Sequence, residues 1–371
     1  MHRARALGTR ISLRPIDALS VDLIGYICAG QRFPGRVLDT IRRLPEADRI
    51  SLSKRRFGRF LSNEDLCRAG LEALATYQTS LYPHIERARG ITEAAISDEL
   101  TAHGIDFVRP KQSKLIKELE SNEDALVGDI DLMVSAQNLD TTESIMTRLG
   151  FDKSLVVRKG RVTRILEAHI NDLEASIPMY GQLMPYSRLS HMPRVTTSDL
   201  TSGLTLRSFL FTERRGEAYF LDSVDLHYDL VPFSPLICDL DSNRPEPAFA
   251  FEHAGDDRTL SDLAFAFYSA IHLYSDAVLQ REANWKLLTN FALLTTHSKH
   301  LVADLALLSA RWPSMEASIC AALNLAALVS PHGAAAATPH STFFRNPNYG
   351  ALEPYFFPNP QSWHWSAGEP R

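Results

Sequence analysis

"VGDIDLMV", residues 127 to 134, sets two aspartates one residue apart in an otherwise apolar run behind a glycine. On a strand, successive side chains alternate between faces, so Asp129 and Asp131 share one face, about 7 Å apart along the chain. Ile130, Leu132 and Val134 line the opposite face, which belongs against a core. The two carboxylates are presented together. Like charges in a partly buried place repel and lose hydration, which is tolerable when a cation sits between them or solvent reaches them. Magnesium meets the first condition, since it takes hard oxygen ligands, commonly one or two carboxylates completed by phosphates and water. Gly128, with no Cβ, lets a triphosphate or a neighbouring backbone approach closely.

Context decides whether the pair is more than chance, because 44 acidic residues in 371 give roughly five acidic-x-acidic triplets at random. Asp239 and Asp241 in "CDLDSNRPEP" have the same spacing, but the prolines and asparagine that follow read as a loop. The stretch at 127–134 instead lies in a helix, strand, helix succession. A third acid comes from "SVDLHYDL", residues 223 to 230, inside a strand expected over 219–231. Alternation puts Asp225, His227 and Asp229 on one face and Val224, Leu226, Tyr228 and Leu230 on the other. If this strand pairs beside the first, Asp225 completes a three-aspartate cluster suited to two magnesium ions and an in-line displacement at phosphorus. The alternative is an antiparallel sheet with one wet face.

Residues 15 to 90 carry helical periodicity, as in "EDLCRAGLEALATY". Within them "SKRRFGRF", residues 53 to 60, mixes basic and aromatic residues as a nucleic-acid surface does, or forms a solvated loop. "GITEAAISDELTAHGIDFVRPKQ" reads as a helix capped by Thr92 and ended by Gly104, with a strand from Ile105. "NLDTTESIMTRLGF" is a helix closed by Gly150, and "SLVVRKGRVTRIL" a basic hairpin turning at Lys159 and Gly160. From 258 to 329 the pattern is helical again, and the tail after Pro331 is rich in Pro, Asn and aromatics. His272, His227 and Trp285 read as packing or supporting residues.

The net charge of −5 and 45% hydrophobic content suit a globular chain of one large or two to three small domains, neither broadly nucleic-acid binding nor disordered. Cys28, Cys67, Cys238 and Cys320 are scattered without a C-x-x-C pair, as expected of reduced thiols in a cytoplasmic protein with no structural zinc. No apolar stretch approaches the roughly 20 residues that span a bilayer, so no membrane partner is expected. The arginines at 3, 5, 10 and 14 read as a short solvated basic tail, with an amphipathic transit segment as the alternative. P-loop, serine-hydrolase and zincin signatures are missing.

"HGIDFVRPKQ", "VGDIDLMV", "TESIMTRLGF" and "VDLHYDL", in this order, resemble the uncharacterised bacterial nucleotidyltransferase family within the DNA polymerase β-like superfamily. "AIHLY" with His272 and "NWKLL" with Trp285 extend the resemblance into the C-terminal helices. It implies an α+β fold: a polymerase-β-like nucleotidyltransferase core with a small mixed sheet over 90–250. Helical regions at 1–89 and 251–330 flank the core, and an irregular tail covers 331–371. It further implies Asp129 and Asp131 as metal ligands, Asp225 as third acid, and Lys111 at the position of the family's Lys-Gly lysine. The chain departs from the pattern where Gln112 replaces the glycine and where "ESNEDALVGDID" lacks the usual arginine, leaving Arg109, Lys111, Lys114 and the basic hairpin as phosphate-handling groups.

The implied activity is transfer of a nucleoside monophosphate from an NTP, ATP first, to a hydroxyl on a small molecule, peptide or protein, with magnesium as cofactor. Asp225 can also help deprotonate the acceptor. The alternative is a catalytically silent binding or regulatory protein that retains the fold.

Overall fold

The computed structural model describes residues 14–55, 57–111, 113–119, 129–158, 161–176, 182–195, 211–229, 253–254, 258–277, 283–298, 300–330 and 356. The chain is α+β, mostly helical with a small mixed sheet. It divides into two compact units, Gly35–Phe265 and Met1–Pro34 with Ala266–Arg371.

The first unit opens with α2 (Gly35–Arg42), α3 (Glu46–Lys54), α4 (Asn63–Arg68), α5 (Glu72–Thr76) and α6 (Tyr82–Ala102); α1 (Pro15–Cys28) precedes it and belongs to the second unit. There follow β1 (Phe107–Val108), α7 (Lys114–Leu119), β2 (Asp129–Val134), α8 (Leu139–Arg148), β3 (Leu155–Arg158), β4 (Arg161–Arg164) and α9 (Glu167–Ser176). The unit closes with β5 (Tyr186–His191), β6 (Phe211–Arg214), β7 (Glu217–His227), β8 (His253–Ala254) and β9 (Thr259–Leu260). Helix α10 (Asp262–Ser275) leads from it into α11 (Trp285–His297), α12 (Leu301–Arg311) and α13 (Glu316–Val329).

The main sheet runs β1-β2-β7-β5, with β6 also on β7. Only β2 and β7 are parallel; the other neighbours are antiparallel. Residues Tyr219 and Phe220 pair with both β5 and β6, and Ser223 and Val224 with both β5 and β2. Strands β6 and β2 therefore follow one another along a single edge of β7, and β5 takes the other edge.

Alternation decides which face is covered. Ile130, Leu132 and Val134 of β2 join Val224 and Leu226 of β7 in a buried cluster with Ile96 and Leu100 of α6 and Ile145 and Met146 of α8. Burial of each such side chain is worth about 1.5–3 kcal/mol, which fixes the strand register because a slip by one residue would turn the apolar set outward. Both helices end on glycines with positive φ, Gly104 at 66° and Gly150 at 84°. The amide of Ile105 donates to the Leu100 carbonyl at 2.9 Å and that of Phe151 to Met146 at 3.0 Å, the six-to-one bond of a left-handed helix cap. A side chain at either glycine would meet open space, so backbone conformation alone demands it.

Three expectations change. Helix α6 starts at Tyr82 and passes straight through Gly90, so Thr92 is an interior residue and not a cap. Its hydroxyl instead donates to the buried carboxylate of Asp222 on β7, and Arg188 of β5 donates to Thr92 Oγ1 at 2.6 Å and lies 3.4 Å from Asp222 Oδ2. Strand β7 runs from Glu217 to His227, leaving Tyr228 and Asp229 beyond its end, because the pairing with β2 stops at His227. In "SKRRFGRF" Arg55, Phe57 and Arg59 are buried instead of solvated, and a 3-10 turn spans Phe57–Phe60, while Arg56 lies outside the described residues. The hairpin forms as β3 and β4, with its turn at 159–160 outside the described residues, as are Gly128, Gln112, Asp239, Asp241 and Cys238.

In the second unit α1, α11 and α13 pack together, and Leu23, Ile24, Phe291 and Leu323 on these helices are all buried. Trp285 meets the ring of Phe356 edge-on at 5.3 Å, so this part of the tail packs, and His272 lies buried against Tyr268. Among the described residues no helix is long and apolar enough to cross a membrane.

Candidate functional site

The face of the sheet opposite the α6–α8 layer carries the acids. Parallel pairing sets Asp129 across from Ser223, Asp131 across from Asp225 and Met133 across from His227. Because side chains two apart share a face, Asp129, Asp131, Asp225 and His227 all project the same way. Asp131, Asp225 and His227 each bring one ligand atom to within 4.8 Å of the others.

Lys111 reaches this cluster from the turn after β1. Strand β1 runs antiparallel to β2, with Phe107 opposite Val134 and Val108 opposite Met133, so the chain beyond Val108 travels back alongside β2 toward its acidic end. The Lys111 ammonium stands 2.5 Å from Asp131 Oδ1, 3.8 Å from Asp225 Oδ2 and 3.9 Å from Asp129 Oδ2. His227 is fully buried, and its Nε2–H donates to the same Asp131 oxygen at 3.2 Å.

Burial sets the protonation of the site. It raises the Asp225 carboxyl to about 8, with the charges of Asp129 and Asp131 acting in the same direction and the Lys111 ammonium opposing them. Burial also pushes the His227 imidazole below its ordinary range, although its bond to Asp131 pulls the other way. Histidine is therefore neutral here at physiological pH, with the proton on Nε2 assigned from its acceptor.

Behind Asp129 lies a second charged group. Arg89 of α6 donates from Nη2 to the Asp129 carbonyl at 2.9 Å and lies 3.8 Å from Glu93, which itself holds Arg109 at 3.0 Å. Arg109 thus points to Glu93, and its amide donates to the Arg258 carbonyl at 2.7 Å. On the covered face, burial raises the Asp222 carboxyl, opposed by the Thr92 hydrogen bond and the Arg188 and Arg89 charges.

Of the residues singled out in the sequence, Asp129, Asp131, Asp225 and Lys111 meet in one place, Arg109 stands beside it on Glu93, and Gly128 lies outside the described residues. His227, placed by alternation on the face of Asp225 and expected as a packing or supporting residue, bonds Asp131 there. Arg89 escapes a sequence reading, since it sits forty positions before Asp129 in a helix with nothing local to mark it. The donor set fits a small hard cation: carboxylate oxygens predominate, and a positive group already stands among them. The same oxygen donors also suit manganese, while His227, its Nε2–H donating to Asp131, orients that carboxylate. No family model, curated protein or solved structure matches the chain, so its site is read from its own geometry.

Proposed function

We propose that this chain is a magnesium-dependent nucleotidyltransferase with a polymerase-β-like core, transferring a nucleoside monophosphate from an NTP, ATP first, to a hydroxyl on a small molecule, peptide or protein. The observation that carries the reading is the pairing of Asp131 directly across from Asp225 on parallel strands, with Asp129 on the same face. A wet sheet face needs no such convergence, and it would not keep Asp225 largely out of solvent.

In this reaction the acceptor oxygen bonds to the α-phosphorus, the α–β anhydride breaks, pyrophosphate leaves, and the hydroxyl proton passes to a base. Asp129, Asp131 and Asp225 are the residues that would hold magnesium, which when bound supplies charge neutralisation for the phosphates and the leaving oxygen. Asp225 is the group we assign to receive the acceptor proton on a carboxylate oxygen. His227 orients Asp131 through its hydrogen bond, and Arg89 fixes the strand at the Asp129 carbonyl. Cys67 is an exposed free thiol, which suits a cytoplasmic setting.

A second reading, a catalytically silent binding or regulatory protein, is favoured by one feature: the Lys111 ammonium already pairs with Asp131 among the carboxylates. Incubation with each labelled NTP and magnesium, alone and with cell extract, separates the two when label transfer and pyrophosphate are followed. Transfer by the wild type, lost in Asp129→Asn/Asp131→Asn while the fold survives, is expected. Metal-dependent NTP binding without transfer favours the silent protein, and NTP binding indifferent to both metal and the double substitution removes the metal reading.

A further inference from the structure

Lys111 occupies the ground that a metal would need. Its ammonium lies 2.5, 3.8 and 3.9 Å from oxygens of Asp131, Asp225 and Asp129 in turn, so its one positive charge offsets part of the negative charge of the cluster. A divalent ion held by the same oxygens, at about 2.0–2.6 Å as hard cations require, would stand within a few ångströms of that ammonium. Two positive groups cannot share so small a space without strong repulsion. The side chain is also able to leave: it sits in a turn beyond the end of β1, it is part-exposed, and four carbons of flexible stem separate the charge from the backbone.

We propose that Lys111 is a built-in counter-ion that competes with the divalent metal for Asp129, Asp131 and Asp225, and that metal binding releases its ammonium to pair with the phosphates of the incoming triphosphate. The inference rests on the metal reading given under Proposed function and deepens it. Metal alone must evict the lysine without giving it a new partner, and therefore binds weakly. Metal together with a polyphosphate gives the evicted ammonium an anion, so the two ligands bind cooperatively, and by linkage each tightens the other by the same factor. The site thereby stays closed to metal until a nucleotide is present.

The test uses the full-length chain and Mn²⁺ as a paramagnetic probe, titrated with and without a non-hydrolysable ATP analogue. For the wild type we expect weak Mn²⁺ binding that tightens with the analogue. For Lys111→Met we expect Mn²⁺ alone to bind at least about tenfold tighter, the scale of one lost charge-assisted contact, with the tightening by the analogue largely lost. The apo variant should melt lower than wild type and gain more from Mn²⁺, because its carboxylates lack their counter-ion. Lys111→Arg should keep the competition.

A measurement on the wild type serves even where Lys111→Met does not fold: amine labelling read by peptide mass spectrometry should rise at Lys111 when Mn²⁺ is added, while Lys117 stays unchanged. Equal or weaker Mn²⁺ affinity in Lys111→Met, or labelling of Lys111 indifferent to Mn²⁺ that demonstrably binds, overturns the inference and leaves the metal reading standing. Failure of both wild type and variant to bind Mn²⁺ overturns both.

Discussion

Asp225→Asn in metal-free buffer deletes one ionisable group while keeping side-chain size and the strand pairing around it. In the folded protein this carboxyl is raised from 3.8 to about 8, first by burial and then by Asp129 and Asp131 against the opposing Lys111 charge. An acid with a folded value above its unfolded one holds its proton longer in the native state. The native state is therefore favoured at low pH and loses stability as pH rises from about 4 to about 8, with a plateau beyond. Between pH 5 and pH 7 nearly a whole proton separates the two states. Wild type should lose up to about 1.4 kcal/mol per pH unit relative to the variant, or about 3 kcal/mol over the interval. Urea unfolding followed by circular dichroism in EDTA at pH 5, 6 and 7 reads the difference directly. The variant should gain on wild type at each step. A gap that stays flat across the three pH values would refute the reasoning, since Asp225 would then titrate as an ordinary solvated acid. A variant less stable at every pH would mean that the Lys111 pairing outweighs desolvation.

Two further substitutions probe the surroundings. Thr92→Val keeps the shape of α6 but removes the hydroxyl that donates to buried Asp222; a loss of about 1–3 kcal/mol in urea unfolding is expected, and none at all would mean that the bond is not needed to satisfy the carboxylate. His227→Gln should leave the sheet folded, as judged by circular dichroism, and weaken Mn²⁺ binding in the presence of nucleotide by about 10–100-fold, the usual cost of losing a group that orients a ligand; unchanged affinity would make the imidazole a packing residue.

What the sequence discloses about this site is what depends on neighbours in the chain. The alternation in "VGDIDLMV" and "SVDLHYDL" is local, and it correctly separates Ile130, Leu132, Val134, Val224 and Leu226, which meet in the core, from the acids on the other face. The register that sets Asp131 against Asp225 is not local. It depends on a crossover that carries α8, β3, β4, α9, β5 and β6 between the two strands, and no residue pattern states which strands will be neighbours. Helix α6 shows the opposite failure, a local signal overridden by packing. Gly90 and Thr92 read as a helix start, and an interior glycine costs about 1 kcal/mol relative to alanine. Yet Ile85, Ile96 and Leu100 are fully buried on either side of it, and their burial outweighs that cost. With the helix thus extended backward, Arg89 comes to the carbonyl of Asp129 and Thr92 to Asp222. The same logic accounts for Lys111. Antiparallel pairing of only two residues, Phe107 and Val108, turns the following chain back along β2 and delivers an ammonium to three carboxylates. That short edge pairing makes the lysine's position dependent on β1 staying docked, so the charge balance of the acids is coupled to the order of the sheet edge.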